Sequence, residues 1–139
     1  MFRIKFIIVG ATKTGPIKEH IRELTKRLSL FAKTTETAVQ ELTSEMIDNQ
    51  DVAILLAEDG KTMDSMDFAQ SLPKWSEQGQ RELTFIIAGP FGFDRKLTKH
   101  ADYILSLSPM TFPHEMAYLI LLEQIYRAGT ILTNKTYHY

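Results

Sequence analysis

LTFIIAGPFGF, residues 83–93, decides how this chain folds. Its first five letters are branched, aromatic or threonine, the composition of a strand. Successive side chains on a strand point to opposite faces, so an apolar run of this kind must be covered on both sides. Gly89, Pro90 and Gly92 then end it in a turn. VAILL at 52–56 reads the same way, as a buried strand ending at Leu56 in the polar loop AEDGK, residues 57–61. Residues 2–9 alternate apolar and basic letters before turning wholly apolar and stopping at Gly10.

Helical patterns lie between these strands. Pro16 opens a stretch in which Ile17, Ile21, Leu24, Leu28 and Phe31 recur three or four residues apart, with charged residues on the other face. Residues 34–42 are threonine-rich and predict a second strand, and residues 44–49 a short helix. Asp64 or Ser65 suits the cap of a helix whose Met66, Ala69, Leu72 and Trp75 form a stripe, interrupted at Pro73. A short helix carrying Arg95, Lys96, Lys99 and His100 precedes a strand over residues 103–108, with the two histidines His20 and His100 expected on solvated surfaces. Strands alternating with helices predict an α/β layer fold with a mostly parallel sheet flanked by helices. In such folds ligands gather at the carboxyl ends of the strands.

A length of 139 residues suits one domain, with no internal repeat or linker-like stretch. The net charge of -1 lacks the broad basic footprint of an autonomous nucleic-acid binder, so any RNA must be met by a local patch. The absence of cysteine excludes disulfides, thiolate metal sites and a cysteine nucleophile, and fits a cytoplasmic protein. The apolar run near the N-terminus is too short for a signal peptide, and Glu123 and Gln124 interrupt the longest candidate span, so no membrane role is expected. The last helix, predicted over about residues 114–128, is apolar almost all round and needs more burial than one sheet face provides. Self-association is the simplest source, with Leu121 expected on the seam.

Three loops at one end of such a sheet, residues 55–61, 88–93 and 106–114, are the places for chemistry. Gly89 and Gly92 let backbone approach a ligand, although a glycine-proline turn is also simply a turn. Neither a Walker pattern nor GxGxxG occurs, which disfavours a phosphate-cradling nucleoside triphosphatase. Pro109 and Pro113 stiffen the third loop and leave its carbonyls and amides free for a flat base; alternatively Pro113 only occupies the first turn of the last helix. His114 is placed either to cap that turn or to bound the pocket. Glu123 and Arg127, four apart, share a helix face and suit an ion pair, a dimer contact or, for Arg127, a phosphate contact.

The run IAGPFGF at 87–93, followed by LSLSPMTFPHEMAYLILLEQIYRAGTILTNKTYHY at 105–139, resembles the RlmH family of SPOUT methyltransferases, and the likeness continues more loosely through residues 1–61. That resemblance implies a parallel-sheet α/β fold with a C-terminal deep trefoil knot, the cofactor-binding part spanning about residues 83–139 of a single domain, residues 1–139. It implies a homodimer that transfers methyl from S-adenosylmethionine, leaving S-adenosylhomocysteine and using no metal, to N3 of a pseudouridine in large-subunit ribosomal RNA on the assembled ribosome. By similarity, Leu56, Gly89, Ser108, Pro109, Met110, Thr111, Phe112 and Pro113 hold the cofactor. Tyr137 and His138 match a Tyr-His pair near the end of relatives, where His138 suits uptake of the imide proton and Tyr137 contact with the base; alternatively Tyr137 packs at the dimer interface and His138 only fixes the tail by a hydrogen bond. Tyr118 stands where relatives commonly carry arginine, and Ala88 where they often carry glycine. The alternatives are a nucleotide-binding SPOUT-like or flavodoxin-like module without catalysis, for which Tyr118 is the best support, and methylation of a different RNA.

Overall fold

In the computed structural model, which describes residues 1–10, 15–89 and 92–137, the apolar runs form one sheet of five parallel strands in the order β2-β1-β4-β3-β5. These are β1 (Phe2–Val9), β2 (Ala32–Val39), β3 (Val52–Lys61), β4 (Leu83–Ile87) and β5 (Tyr103–Leu105). β4 lies between β1 and β3 and is buried at every position, which is why it carries no polar letter except Thr84. The Thr84 hydroxyl is satisfied by the side chain of Gln50 at 2.9 Å.

The helices α1 (Pro16–Leu28), α3 (Ser65–Trp75) and α5 (His114–Leu132) cover one face, and the short α2 (Ser44–Asp48) and α4 (Arg95–Thr98) the other. Period-2 alternation divides the strands accordingly. Ile4, Phe6, Ile54, Leu56, Phe85 and Ile87 point to the first face, whereas Ile7, Ala53, Leu55 and Ile86 point to the second. Phe6, Phe85 and Phe68 stack or tilt against one another within the larger core.

Several boundaries differ from those the sequence predicts. β2 begins at Ala32 and ends at Val39, because the buried Leu42 turns away to pack with Ile47 of α2. β3 does not stop at Leu56: it continues to Lys61 with a break in register, both Leu56 and Lys61 standing opposite Leu105. Gly60 permits that course, since a Cβ there would sit 2.7 Å from the Ile104 carbonyl oxygen. β5 is shorter than expected because the Ser106 amide bends to the Lys61 carbonyl at 2.9 Å.

α5 runs past residue 128 to Leu132, and Gly129 does not end it. A Cβ at Gly129 would approach the Phe31 ring to 2.4 Å, so the glycine is the notch that seats this ring. One side of α5, with Tyr118, Leu121, Leu122, Ile125 and Ala128, is buried within its own chain against α1 and α3, which corrects the expectation that Leu121 lies on a seam. Leu121 is 0% exposed and belongs to the core. His100 is not simply solvated, its Nδ1 lying 2.9 Å from Asp48 Oδ1 and joining the end of α4 to α2.

Candidate active site

The sheet is parallel, so the tips of β3, β4 and β5 emerge at one end, and there they enclose a cleft of about 1010 Å³. That is the size of a pocket for a small organic ligand. Leu56, Gly89, Ser108, Met110, Thr111, Phe112 and Pro113 all line it, so the structure brings together the expected cofactor residues with Pro109 as the link between them. His114, the first residue of α5, lines it too. Pro113 holds the N-cap position without a side-chain cap bond, and its carbonyl accepts the Ala117 amide at 3.0 Å.

The cleft owes its shape to backbone. The Met110 amide donates to Ser108 Oγ at 3.0 Å, so the Ser108 hydroxyl braces the third loop from within. Buried Ser106 fastens that loop to the first, donating its hydroxyl to the Glu58 carbonyl at 2.9 Å. In the second loop the Gly92 amide returns to the Gly89 carbonyl at 3.1 Å, and Gly92 adopts φ 73°, a left-handed conformation that favours glycine. Gly89 is required for a reason the sequence did not show: a Cβ there would lie 2.8 Å from the Val9 carbonyl oxygen of β1. Pro90 and Phe91 lie outside the described residues.

The walls also include groups that sequence reasoning passed over. Glu58 and Asp59, on the extended end of β3, line the cleft, as do Phe93, Arg95, Leu107 and Ala117. The signal for Glu58 and Asp59 was their place immediately after a buried strand, obscured by reading β3 as finished at Leu56. Apolar walls, loop amides and carbonyls, and two carboxylates together fit a ligand with a flat heteroaromatic part and a cationic part.

Tyr137 lies elsewhere. Its hydroxyl donates to Glu123 Oε1 at 3.2 Å, its ring meets Tyr126 edge-on at 5.0 Å, and the Arg127 guanidinium stands over it at 4.9 Å. Arg127 also makes the expected pair with Glu123, Nη2 to Oε1 at 2.6 Å and Nε to the same oxygen at 3.0 Å. The second Glu123 oxygen accepts from Gln124, whose own oxygen accepts from Ser65 of α3. Burial, then Glu123, raises the Tyr137 phenol above its ordinary range, so it remains a donor; the hydrogen bond to Glu123 raises Arg127 further, and it remains a cation. At roughly 1.5 Å per residue, Glu123 and Arg127 stand about 13 and about 20 Å along α5 from His114. His138 lies outside the described residues.

Tyr118 is 2% exposed, packs against Phe6 at 5.2 Å, and is absent from the cleft lining. The tyrosine at this position is therefore no part of the cleft wall. Among the described residues no group of three or more His, Asp or Glu is arranged to hold a metal, and no helix is long and apolar enough to cross a membrane.

The family model described as "Predicted SPOUT methyltransferase" matches residues 2–138. This chain belongs to the SPOUT methyltransferase family. It is 37% identical to ribosomal RNA large subunit methyltransferase H of Flavobacterium johnsoniae, the match covering 98% of each chain. It is 34% identical to the protein of that name from Maridesulfovibrio salexigens, over 100% of this chain and 99% of that one. In fold it is similar to a probable methylase family protein from Haemophilus influenzae Rd KW20, with TM-score 0.63 and 10% identity over 98% of this chain and 70% of that one. A probable methyltransferase from Bordetella pertussis Tohama I aligns with TM-score 0.61 and 11% identity, over 92% and 96%. SPOUT enzymes transfer methyl from S-adenosylmethionine, and the cleft described above has the size and the chemistry that this cofactor needs.

Proposed function

We propose that this SPOUT enzyme methylates large-subunit ribosomal RNA at N3 of a pseudouridine, on the assembled ribosome and as a cytoplasmic homodimer, with residues 1–139 forming one domain that carries the family's trefoil knot. The observation that carries the reading is the convergence of three successive strand tips on one backbone-shaped cleft, in a chain that matches relatives named for this activity over nearly its whole length.

S-adenosylmethionine supplies a methyl group already activated on a sulfonium. The chain's own task is then to bind, to align and to remove one proton. Leu56 and the loop 107–113 hold the flat part of the cofactor between apolar walls and loop amides. Glu58 and Asp59 face its cationic part, and Arg95 at the rim receives an RNA phosphate. Excluding water from the cleft would favour transfer, because the transition state would carry less charge on sulfur than the bound cofactor does.

Tyr137 is held against its own α5 away from its own cleft, which supports a reading in which the tail serves the cleft of a second subunit. There His138 takes the proton from N3 of the base, while Glu123 and Arg127 keep Tyr137 fixed as its base. The half-exposed side chains left on α5, among them Met116, Leu119 and Ile120, supply the seam between subunits.

Mass mapping of ribosomal RNA from a strain lacking this chain, complemented with the wild type or with a chain ending at Thr136, tests the reading. A modification lost on deletion, restored by the wild type and not by the truncated chain, is expected. Unmodified RNA in both strains, or full rescue by the truncated chain, contradicts the substrate or the tail respectively. Calorimetry with S-adenosylmethionine tests the cofactor independently.

A further inference from the structure

A second cavity, of about 490 Å³, opens between α1 and the edge strand β2. Its floor is Phe6, Ile21 and the hydroxyl edge of Tyr118. Glu36 stands beside that hydroxyl, and burial, reinforced by this carboxylate, keeps the Tyr118 phenol protonated. Lys18, Arg22 and Lys26 recur at every fourth residue of α1 and form one rim, spread over about 12 Å of helix. Arg22 is engaged with Glu19 at 3.1 Å, whereas Lys18 and Lys26 make no ion pair among the described residues. Thr34 and Thr35 form the other rim, on a strand hydrogen-bonded only to β1, so its outer edge presents further peptide donors and acceptors.

Consecutive residues of α5 divide the two cavities: Ala117 lines the cleft and Tyr118 the second cavity. The two cavities are therefore neighbours along α5, on different sides of the helix. An apolar floor, a carboxylate that accepts from the N–H edge of a base, hydroxyls beside it and ammonium groups on the rim match one unstacked ribonucleotide. RNA proteins read unpaired bases in this way, through their edges and faces with phosphate held outside. We propose that this cavity binds a nucleotide of the RNA substrate other than the one methylated, with Glu36 reading its base and Lys18 and Lys26 holding its phosphates. The proposal rests on the reading of this enzyme as an RNA methyltransferase and adds a recognition site outside the cleft.

The test uses the full chain carrying Lys18→Glu and Lys26→Glu, both exposed, and separately Glu36→Gln. With a short single-stranded oligoribonucleotide, the double variant should bind about tenfold more weakly, and lose about 1.4 from the slope of log affinity against log salt, at about 0.7 per phosphate contact. In methyl transfer to ribosomal particles it should raise KM about tenfold with kcat kept, and its affinity for S-adenosylmethionine should not change. Glu36→Gln should alter the ranking of guanosine, cytidine and adenosine 5′-monophosphates in amide chemical-shift titrations, with the wild-type shifts centred on residues 18–36 and Tyr118. An unchanged salt slope and KM, or wild-type shifts confined to the main cleft, overturns the proposal. If the wild type shows no methyl transfer, the activity reading fails while the titration still decides whether the cavity takes a nucleotide.

Discussion

The cleft at the tips of β3, β4 and β5 and the cluster around Tyr137 lie along the same helix, yet they are built from different materials. The cleft is backbone: loops shaped by Gly89, Gly92, Pro109 and Pro113, and tied together through Ser106 and Ser108. The cluster is side chains, with Glu123 accepting from both Arg127 and Tyr137 on one oxygen. A site made of backbone fails when something is added. A site made of charged side chains fails when something is taken away, even an atom-for-atom replacement.

The largest effect lies beneath both regions. Leu121→Glu places a charge at a fully buried position and should cost more than about 4 kcal/mol, leaving little folded protein. Ile120→Glu, next to it and half-exposed, should leave the fold intact by circular dichroism and shift the sedimentation coefficient towards a single copy. A folded, dimeric Leu121→Glu variant would break the assignment of α5 to its own chain's core.

Gly89→Val comes next. The added Cβ meets the Val9 carbonyl at 2.8 Å, so the strand tips must part, at about 1–3 kcal/mol of stability. Calorimetry should find binding of S-adenosylmethionine abolished and thermal melting lowered together. Unchanged affinity would show that the cleft tolerates addition and that the contrast with the cluster is false.

Glu123→Gln sharpens the other side. It keeps the shape and removes the charge that Arg127 and Tyr137 share, so methyl transfer should fall about tenfold, about 1.4 kcal/mol in the barrier, with cofactor affinity unchanged. Equal loss of both, read from kinetics beside calorimetry, would place the cluster in the cofactor site.

The smallest effect is on pH dependence. Both Tyr118 and Tyr137 have phenols raised above the ordinary 10.0, chiefly by burial. The folded chain then holds these protons more tightly than the unfolded one, so stability is level below about pH 10 and falls as pH rises beyond it. Tyr118→Phe, which keeps the ring against Phe6, should flatten part of that fall in denaturant melts. An identical slope in wild type and variant would mean that the Tyr118 proton is not held by the fold.

Local order was legible wherever one residue's neighbours in sequence are also its neighbours in space. The apolar runs of β1, β3 and β4, the Asp64 cap, whose carboxylate accepts the Asp67 amide at 2.7 Å, and the Glu123–Arg127 pair follow from spacing alone. The gathering of residues 56, 89 and 108–113 was legible too, because parallel strands must end together. What the letters did not determine depends on elements far apart in the chain. α5 reads as ending near residue 128 until Phe31 is seen to fill the missing side chain of Gly129, and β3 reads as ending at Leu56 until Gly60 is found against Ile104. Leu121 and Ile120 are equally apolar in sequence, and only the packing of α5 between α1 and α3 buries one and leaves the other half-exposed. Sequence fixes which surfaces must leave water; the tertiary structure decides which partner covers each of them, since hydrophobic burial is non-directional and the fit of shapes selects among the possible contacts.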